Sequence, residues 1–271
     1  MREACGILAL LTDFGTSDPY VPSMKGIALR ICRNITLVDI THEIPSFDVD
    51  YGSYILFSTY KYFPPGTVFA AVVDPGVGTS RKPIAIASKN YYFVGPDNGL
   101  MIIAAEEDGL ESAVVLTREE LFWKPVSRSF HGRDIFIPVA ARVACGIDFR
   151  SLGEPVSPSD LVRPKLRIGL EKVGDCVKSW VIHIDRFGNV VLSERFKRII
   201  ELLELSVGDR VRVIVGAHEF LALVEKVFSA VPPGTLVLYE NSLQLAELAV
   251  NLGSAEKILK VNRRDSLALC K

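Results

Sequence analysis

The chain predicts an α/β first domain, with a mainly parallel sheet flanked by helices, followed by a smaller β-rich domain. Three observations carry this reading. Short apolar runs alternate with helical periodicity up to about residue 160, a stretch bearing Gly153, Pro155 and Pro158 has no period, and strand-like runs dominate beyond it. At roughly 150 residues per domain, 271 residues make about two domains. We place the boundary so that residues 1–163 form the first domain and 164–271 the second.

Ile7–Leu11 reads as the first buried strand, and Val21, Met24, Ile27, Ala28, Ile31 and Cys32 then share one helical face. Ile35–Ile40 is a second strand. Asp50–Tyr62 is a helix stopped by Pro64-Pro65-Gly66, and Val68–Val73 is a third strand. This alternation is what implies a parallel sheet covered on both faces. Ile84–Ala87 and Tyr91–Val94 form a hairpin around Lys89-Asn90, Asn98–Glu107 a helix, Val114–Leu116 a strand, and Asp134–Cys145 a helix with Pro138 near its start. Asp148–Arg163 has loop chemistry. In the second domain Asp175–Asp185, Val190–Leu192, Arg210–Val215 and Thr235–Glu240 are strand-like, with a helix at Glu194–Leu205. There is no internal repeat.

Composition narrows the function classes. With 49% hydrophobic and 23% charged residues the chain is neither disordered nor low-complexity. A formal charge of −1 gives no global field to recruit nucleic acid or anionic lipid, so a ligand must be held locally. The five cysteines, Cys5, Cys32, Cys145, Cys176 and Cys270, are odd in number, widely spaced and without a C-x-x-C pair. They argue against a disulfide framework or a zinc site, and reduced thiols in a cytoplasmic protein are the expectation. Gly6–Leu11 follows charged residues and runs into Asp13, so it reads as a strand rather than a signal segment. No stretch reaches the ~18 apolar residues of a membrane span.

In a parallel sheet the ligand crevice lies at the carboxyl ends of the strands. Asp13 follows the first strand and Asp74 the third, so both emerge on one edge, either as turn caps or as site carboxylates. Arg81 is placed to return to Asp74 or to be solvated. Of the four histidines, His42, His131, His183 and His218, only His131 combines a flanking glycine, neighbouring charges and a helix start, in Phe130-His131-Gly132-Arg133-Asp134. Asp185-Arg186-Phe187-Gly188-Asn189 is most simply a hairpin turn, and Ser242 begins a capped turn or helix.

Six ordered segments carry a resemblance: Leu11-Thr12-Asp13-Phe14-Gly15-Thr16, Ile44-Pro45-Ser46-Phe47-Asp48-Val49, Val73-Asp74-Pro75-Gly76-Val77-Gly78-Thr79, Phe93-Val94-Gly95-Pro96-Asp97-Asn98-Gly99, Phe130-His131-Gly132-Arg133-Asp134 and Asp185-Arg186-Phe187-Gly188-Asn189. Together they resemble the S-adenosyl-L-methionine (SAM) hydrolase family, the SAM hydroxide adenosyltransferases, whose relatives include fluorinase and chlorinase. The resemblance implies a C-terminal domain of β-barrel type and a homotrimer with sites between subunits. It also implies SAM as substrate with no cofactor or metal. Asp13 then matches the aspartate on the ribose hydroxyls and Phe47 an aromatic position against the nucleoside. Asp74, Arg81 and His131 match the set associated with the hydrolytic branch. Asp185, Phe187 and Asn189 match the methionine segment, in a turn one residue shorter than in fluorinase, with Asp18 joining on the amino-acid side. Ser242 and Asn251 match the adenine and carboxylate stretch, and Phe228 an adenine-packing position.

The departures from the fluorinase pattern are informative. There, the positions of Asp74 and His131 are Tyr, that of Gly132 is the halide-contacting Ser, and that of Val77 is Thr. The arginines beside Ser242 and Asn251 are replaced here by Leu243 and Val250. The resemblance therefore implies hydrolysis of SAM to adenosine and L-methionine. Related enzymes point to the (R)-sulfonium epimer, a preference that no residue here fixes. The rival readings are a SAM halogenase of the same fold, a metal-dependent phosphoester hydrolase using Asp13, Asp18, Asp74 and His131, and a non-catalytic nucleoside-binding protein.

Overall fold

The structure, a computed structural model, describes residues 3–271. The chain divides into two compact units, Met1–Lys165 and Leu166–Lys271. No helix among the described residues is long and apolar enough to cross a membrane.

The first unit is built on one sheet. Its strands are β1 (Ile7–Thr12), β2 (Thr36–Thr41), β3 (Val68–Val72), β4 (Pro83–Ser88), β5 (Tyr92–Pro96), β6 (Leu110–Leu116) and β7 (Gly153–Val156), in the order β2-β1-β3-β5-β4-β6-β7. The neighbours from β2 to β5 run parallel, and β4, β6 and β7 extend the sheet by antiparallel pairing. Alternation along β1 divides the core into two layers, as a period of two requires. Leu8 and Leu10 pack with Met24 and Ile27 of α1 (Tyr20–Ile31) and Val139 and Val143 of α4 (Ile137–Ala144). Ala9 and Leu11 pack on the other face with Leu56 of α2 (Val49–Thr59) and Ala104 of α3 (Ile102–Glu107).

The helical and parallel-strand expectations match these elements closely. Helix α3 starts later than Asn98, because the Asn98 side chain is committed to a strand end rather than to a helical turn. The Asp148–Arg163 stretch hides β7, whose Gly153 and Pro155 read as loop chemistry. It is an edge strand, where a missing backbone donor can face away from the sheet and proline is tolerated.

The second unit contains β8 (Glu171–Val173), β9 (Cys176–Ile184), β10 (Val190–Arg195), α5 (Phe196–Leu203), β11 (Arg210–Val215), β12 (His218–Val224), β13 (Leu236–Glu240), β14 (Leu245–Val250), α6 (Ala255–Leu259) and β15 (Ser266–Cys270). The order β10-β14-β13-β12-β11-β15-β9 closes on itself through a β9–β10 pairing, leaving β8 as an appended edge. Closure removes the unpaired edges of this small sheet. The three-residue β8 is absent from the sequence expectation, and so are β12, β14 and β15. The Leu-, Ala- and Glu-rich runs of these last three have helical or neutral propensity, and pairing in the barrel decides their state.

The cysteines require a correction. Cys32, at the end of α1, is bonded to Cys145 at the end of α4, and Cys176 is bonded to Cys270, its register partner across β9 and β15; only Cys5 is free. The expectation of five reduced thiols fails because pairs 113 and 94 residues apart leave no local spacing signal. In the chain-entropy account, loops of about 100 residues make each bond worth up to about 5 kcal/mol through restriction of the unfolded chain. Thiol titration of the unfolded, unreduced protein is expected to find one reactive group, and five after reduction, with a lower melting temperature for the reduced form. Five thiols before reduction would contradict both bonds.

Candidate active site

Loops at the carboxyl edge of the first sheet bring Asp13, Phe47, Asp74, Arg81 and His131 into one neighbourhood. Asp13 leaves the end of β1, and its Oδ2 accepts the Phe47 N–H at 2.9 Å. Phe47 sits at φ 67°, a left-handed conformation uncommon for an aromatic residue, and its ring is 69% exposed. Burial pushes the Asp13 carboxyl above its ordinary value. The Phe47 N–H opposes that shift, and the negative charge of Asp74 adds to it, which places the two carboxylates in each other's field.

A network running from the buried Thr12 and His42 out to the more exposed Asp39 and Lys25 holds the Asp13 loop. The Phe14 N–H donates to Thr12 Oγ1 (3.3 Å), and Thr12 Oγ1 lies 2.8 Å from His42 Nδ1. His42 Nε2 lies 3.1 Å from Asp39 Oδ1, and Lys25 Nζ donates to Asp39 Oδ2 (2.6 Å). The His42 carbonyl also accepts the Gly15 N–H at 2.7 Å. The Thr12 hydroxyl thus joins the Phe14 N–H to the His42 imidazole at Nδ1. Sequence reasoning passed over His42 as an ordinary histidine. Its only signal was its place just after β2.

Asp74 and Arg81 lie at the two ends of the loop joining β3 to β4. Arg81 Nε donates to both Asp74 oxygens at 3.0 Å, and Nη2 pairs with Oδ2. The side chains are 6% and 10% exposed, so the pair is buried, and the guanidinium lies 5.0 Å from the Phe136 ring centroid. The solvated alternative for Arg81 is thereby excluded. Arg81 Nη2 also lies 2.9 Å from His131 Nδ1. An arginine only donates, so Nδ1 is the acceptor and a neutral His131 carries its proton on Nε2.

His131 opens a wide turn rather than an α-helix. Gly132–Phe136 is a π-helical segment in which the Ile137 N–H reaches back to the Gly132 carbonyl. The loosened ladder leaves the Asp134 carbonyl free to accept the Trp123 N–H at 2.8 Å. Such single-turn insertions recur at functional sites, and this one follows His131 directly. Burial holds its imidazole below the ordinary value, and the facing Arg81 charge adds to that; Asp74 and Asp134 oppose it. A Cβ at Gly132 would lie 3.3 Å from Phe14, 3.4 Å from Phe130 and 3.5 Å from Met24 Sδ. Phe14, Tyr20 and Phe130 form an aromatic cluster beside it, with centroids 5.1–5.7 Å apart. Asp18 is exposed in the following loop. Among the described residues there is no group of three or more His, Cys, Asp or Glu that could hold a metal ion.

In the second unit Asp185 clamps the β9–β10 hairpin. Its Oδ1 accepts the N–H groups of Phe187 and Asn189, each at 2.9 Å, and its Oδ2 accepts Asn189 Nδ2 at 2.9 Å. The hairpin reading of this segment holds, and it leaves Phe187 77% exposed. Ser242 is exposed at the tip between β13 and β14, where Asn241 Oδ1 accepts from Leu243 (2.9 Å) and Leu245 (3.1 Å). Asn241 Nδ2 donates to the buried Glu247 at 2.9 Å, and the Tyr239 hydroxyl donates to the same carboxylate. Burial raises both Glu247 and Tyr239, and the Asp185 charge adds to each shift, so these groups cluster near the Asp185 hairpin. Glu247 went unnoticed in sequence because it interrupts an apolar run without a motif. Phe228 is 44% exposed, with its ring 6.1 Å from that of Tyr239. Asn251 Nδ2 is already bonded to the Val231 carbonyl at 2.6 Å.

Residues 8–153 match the model of the SAM hydroxide adenosyltransferase N-terminal domain, and residues 179–268 that of the C-terminal domain. The chain belongs to this family. It is 37% identical over 96% of each chain to a protein from Salinispora arenicola named (R)-S-adenosyl-L-methionine hydrolase. A fluorinase from an Actinoplanes species is more distant, at 26% identity over 90% of this chain and 91% of its own. A solved structure of an uncharacterized conserved protein from Thermotoga maritima superposes with a TM-score of 0.91 at 39% identity, covering 97% of this chain and all of that one.

The Arg81–His131 contact makes a direct prediction. In an NMR titration His131 is expected to titrate below the ordinary imidazole value of about 6.5. Replacing Arg81 by Leu removes a cation that disfavours imidazolium, so the titration is expected to move upward. An unmoved or lowered midpoint would show that Arg81 does not face the ring.

Proposed function

We propose that this chain hydrolyses S-adenosyl-L-methionine, the (R)-sulfonium epimer by preference, to adenosine and L-methionine. The observation that carries the reading is the buried Asp74–Arg81–His131 contact at the carboxyl edge of the parallel strands. The relatives named (R)-S-adenosyl-L-methionine hydrolase support the substrate and the epimer.

Charge decides what the site must supply. The sulfonium leaves as a neutral thioether, so no general acid is required. Water is a weak nucleophile, so the need is for its activation. In this reading a water accepted by Asp74 attacks C5′ in line with sulfur. The O–C5′ bond forms, the C5′–S pair withdraws to sulfur, and the water proton passes to Asp74. Arg81 offsets the charge on that carboxylate. His131, whose Nδ1 is occupied by Arg81, offers Nε2–H and so orients the water rather than taking its proton. Charge disappears as hydroxide-like oxygen meets sulfonium, so exclusion of bulk water favours the transition state.

Asp13 takes the ribose hydroxyls and Phe47 the nucleoside face, with Asp18 on the amino-acid side. Asp185, Phe187 and Asn189 take the methionine part, and Phe228, Ser242 and Asn251 the adenine and carboxylate. The homotrimer with sites shared between subunits rests on the family resemblance, and in it the exposed Phe47, Phe187 and Phe228 would meet substrate or a neighbouring subunit. Cytoplasmic residence belongs to the same family-based reading, and the two disulfides weigh against it rather than for it. The halogenase reading is disfavoured at Gly132. A serine there presses its Cβ against Phe14 and Phe130, so the cluster would have to give way.

Asp74→Asn keeps the side-chain shape and is expected to lower kcat by about 10²–10⁴-fold while KM for SAM changes only a few-fold. Cleavage in ¹⁸O-water is expected to place the label on the 5′-hydroxyl of adenosine, and the (R) epimer to turn over faster than the (S). Unlabelled adenosine, or wild-type turnover in the variant, would remove Asp74-activated water from the mechanism.

A further inference from the structure

The Gly95-Pro96-Asp97-Asn98-Gly99 segment has no part in the mechanism above, yet it lies under it. Strand β5 stands between β3 and β4 in the sheet. The loop joining β3 to β4, which carries Asp74 at one end and Arg81 at the other, must therefore arch over the end of β5. The backbone ladders stop short of both feet of that arch. The last β3–β5 pair is Ala70 with Val94, and the last β4–β5 pair is Pro83 with Pro96.

Two consecutive residues continue where the ladders end. Asn98 Nδ2 donates to the Val73 carbonyl at 2.8 Å, immediately before Asp74. The Asp97 N–H donates to the Lys82 carbonyl at 2.9 Å, immediately after Arg81. Asn98 Oδ1 accepts the Leu100 N–H at 3.2 Å, so the amide orientation is fixed and its donor end must face Val73. Asp97 is buried, and its Oδ1 accepts the Val162 N–H at 2.9 Å, which anchors the pair from the side opposite the arch. A Cβ at Gly95 would lie 2.2 Å from the Ala71 carbonyl, so only glycine lets β5 lie this close to β3.

We propose that Asn98 is a positioning residue for this reaction: with the Asp97 N–H it pins both feet of the 73–82 arch, and so sets the distance and angle at which Asp74 meets Arg81 and the attacking water. It rests on the reading of Asp74 as the group that activates water. Side chains that substitute for a strand ladder fix a backbone only as well as their one hydrogen bond. Misplacement of a reacting group by about 1 Å can cost 10²-fold in rate.

The test is a double-mutant cycle on the full-length protein, with SAM as substrate. Asn98→Ala is expected to lower kcat by about 10–100-fold with KM within about twofold, because the substrate contacts are elsewhere. In an Asp74→Asn background the same substitution is expected to cost less than about threefold, since the group it positions is already disabled. Asn98→Asp keeps the acceptor for Leu100 but turns the donor facing Val73 into an oxygen. It is expected to lose at least as much as Asn98→Ala, and it carries the cycle if the alanine variant does not fold. Wild-type kcat in both variants, or equal losses in both backgrounds while Asp74→Asn alone is impaired, would overturn the inference and leave the function standing. Wild-type turnover of Asp74→Asn would overturn the role of Asp74 and this inference with it.

Discussion

The guanidinium of Arg81 is the constraint on which the rest of the first unit turns. It is almost fully buried, and a buried cation is stable only if its donors are satisfied and its charge is met. Asp74 meets the charge through both oxygens, Phe136 supplies a ring face, and His131 accepts at Nδ1. Removing one partner from such a set costs about 3–5 kcal/mol, because the remaining charge is stranded. That cost explains why the surrounding backbone is so closely specified. The π-turn after His131, the arch from Val73 to Lys82 and the amide of Asn98 each fix one approach to the same guanidinium.

The two acidic groups of the edge differ in their surroundings, and the difference separates their chemistry. Asp13 is met by the Phe47 N–H and has no cation among its main influences, so burial and the charge of Asp74 raise it. Asp74 faces a guanidinium at hydrogen-bond distance. A raised carboxyl with one oxygen held by a backbone N–H suits recognition of neutral hydroxyls. A carboxylate anchored by arginine suits holding a water against a cationic electrophile. The proposed division of labour between ribose and nucleophile follows from these neighbours.

The sequence made the parallel half of the first sheet legible because local signals and tertiary outcome agree there. The alternation of Leu8, Ala9, Leu10 and Leu11, and the helical stripe of Val21, Met24 and Ile27, report the same burial that the fold imposes. The barrel was less legible. Strand β14, Leu-Ala-Glu-Leu-Ala-Val, becomes a strand only because β10 and β13 flank it, and no residue within it announces those partners. The disulfides were illegible for a kindred reason: Cys32 and Cys145 end two helices, Cys176 and Cys270 face each other across two strands, and neither pair meets until those elements pack. At the candidate site, Asp74, Arg81 and His131, which the structure brings together, carry chemistry that is visible in the sequence. The supports, His42, Asn98 and Glu247, act through bonds to backbone or to other side chains and look ordinary in one dimension.

Hydrolysis, as against halide transfer, follows in this reading from packing as much as from the nucleophile's partners. Phe130 meets both Phe14 and Tyr20 edge to face, Phe14 and Tyr20 lie tilted at 44°, and the glycine at 132 leaves room for Phe14 and Phe130 beside it. A side chain at 132 would need a few tenths of an ångström from two rings that pack on one another, so a hydroxyl there would have to come with a rearranged cluster. Asp74 and Gly132 belong to one arrangement: the carboxylate gives water a hydrogen-bond acceptor, and the closed aromatic wall leaves a spherical anion no donor in its place. Changing either alone would leave an acidic site hostile to halide or an aromatic wall without an acceptor. In this reading a transition between the two chemistries on this fold involves Asp74 and Gly132 together with the His131 and Val77 positions that also depart from the fluorinase pattern.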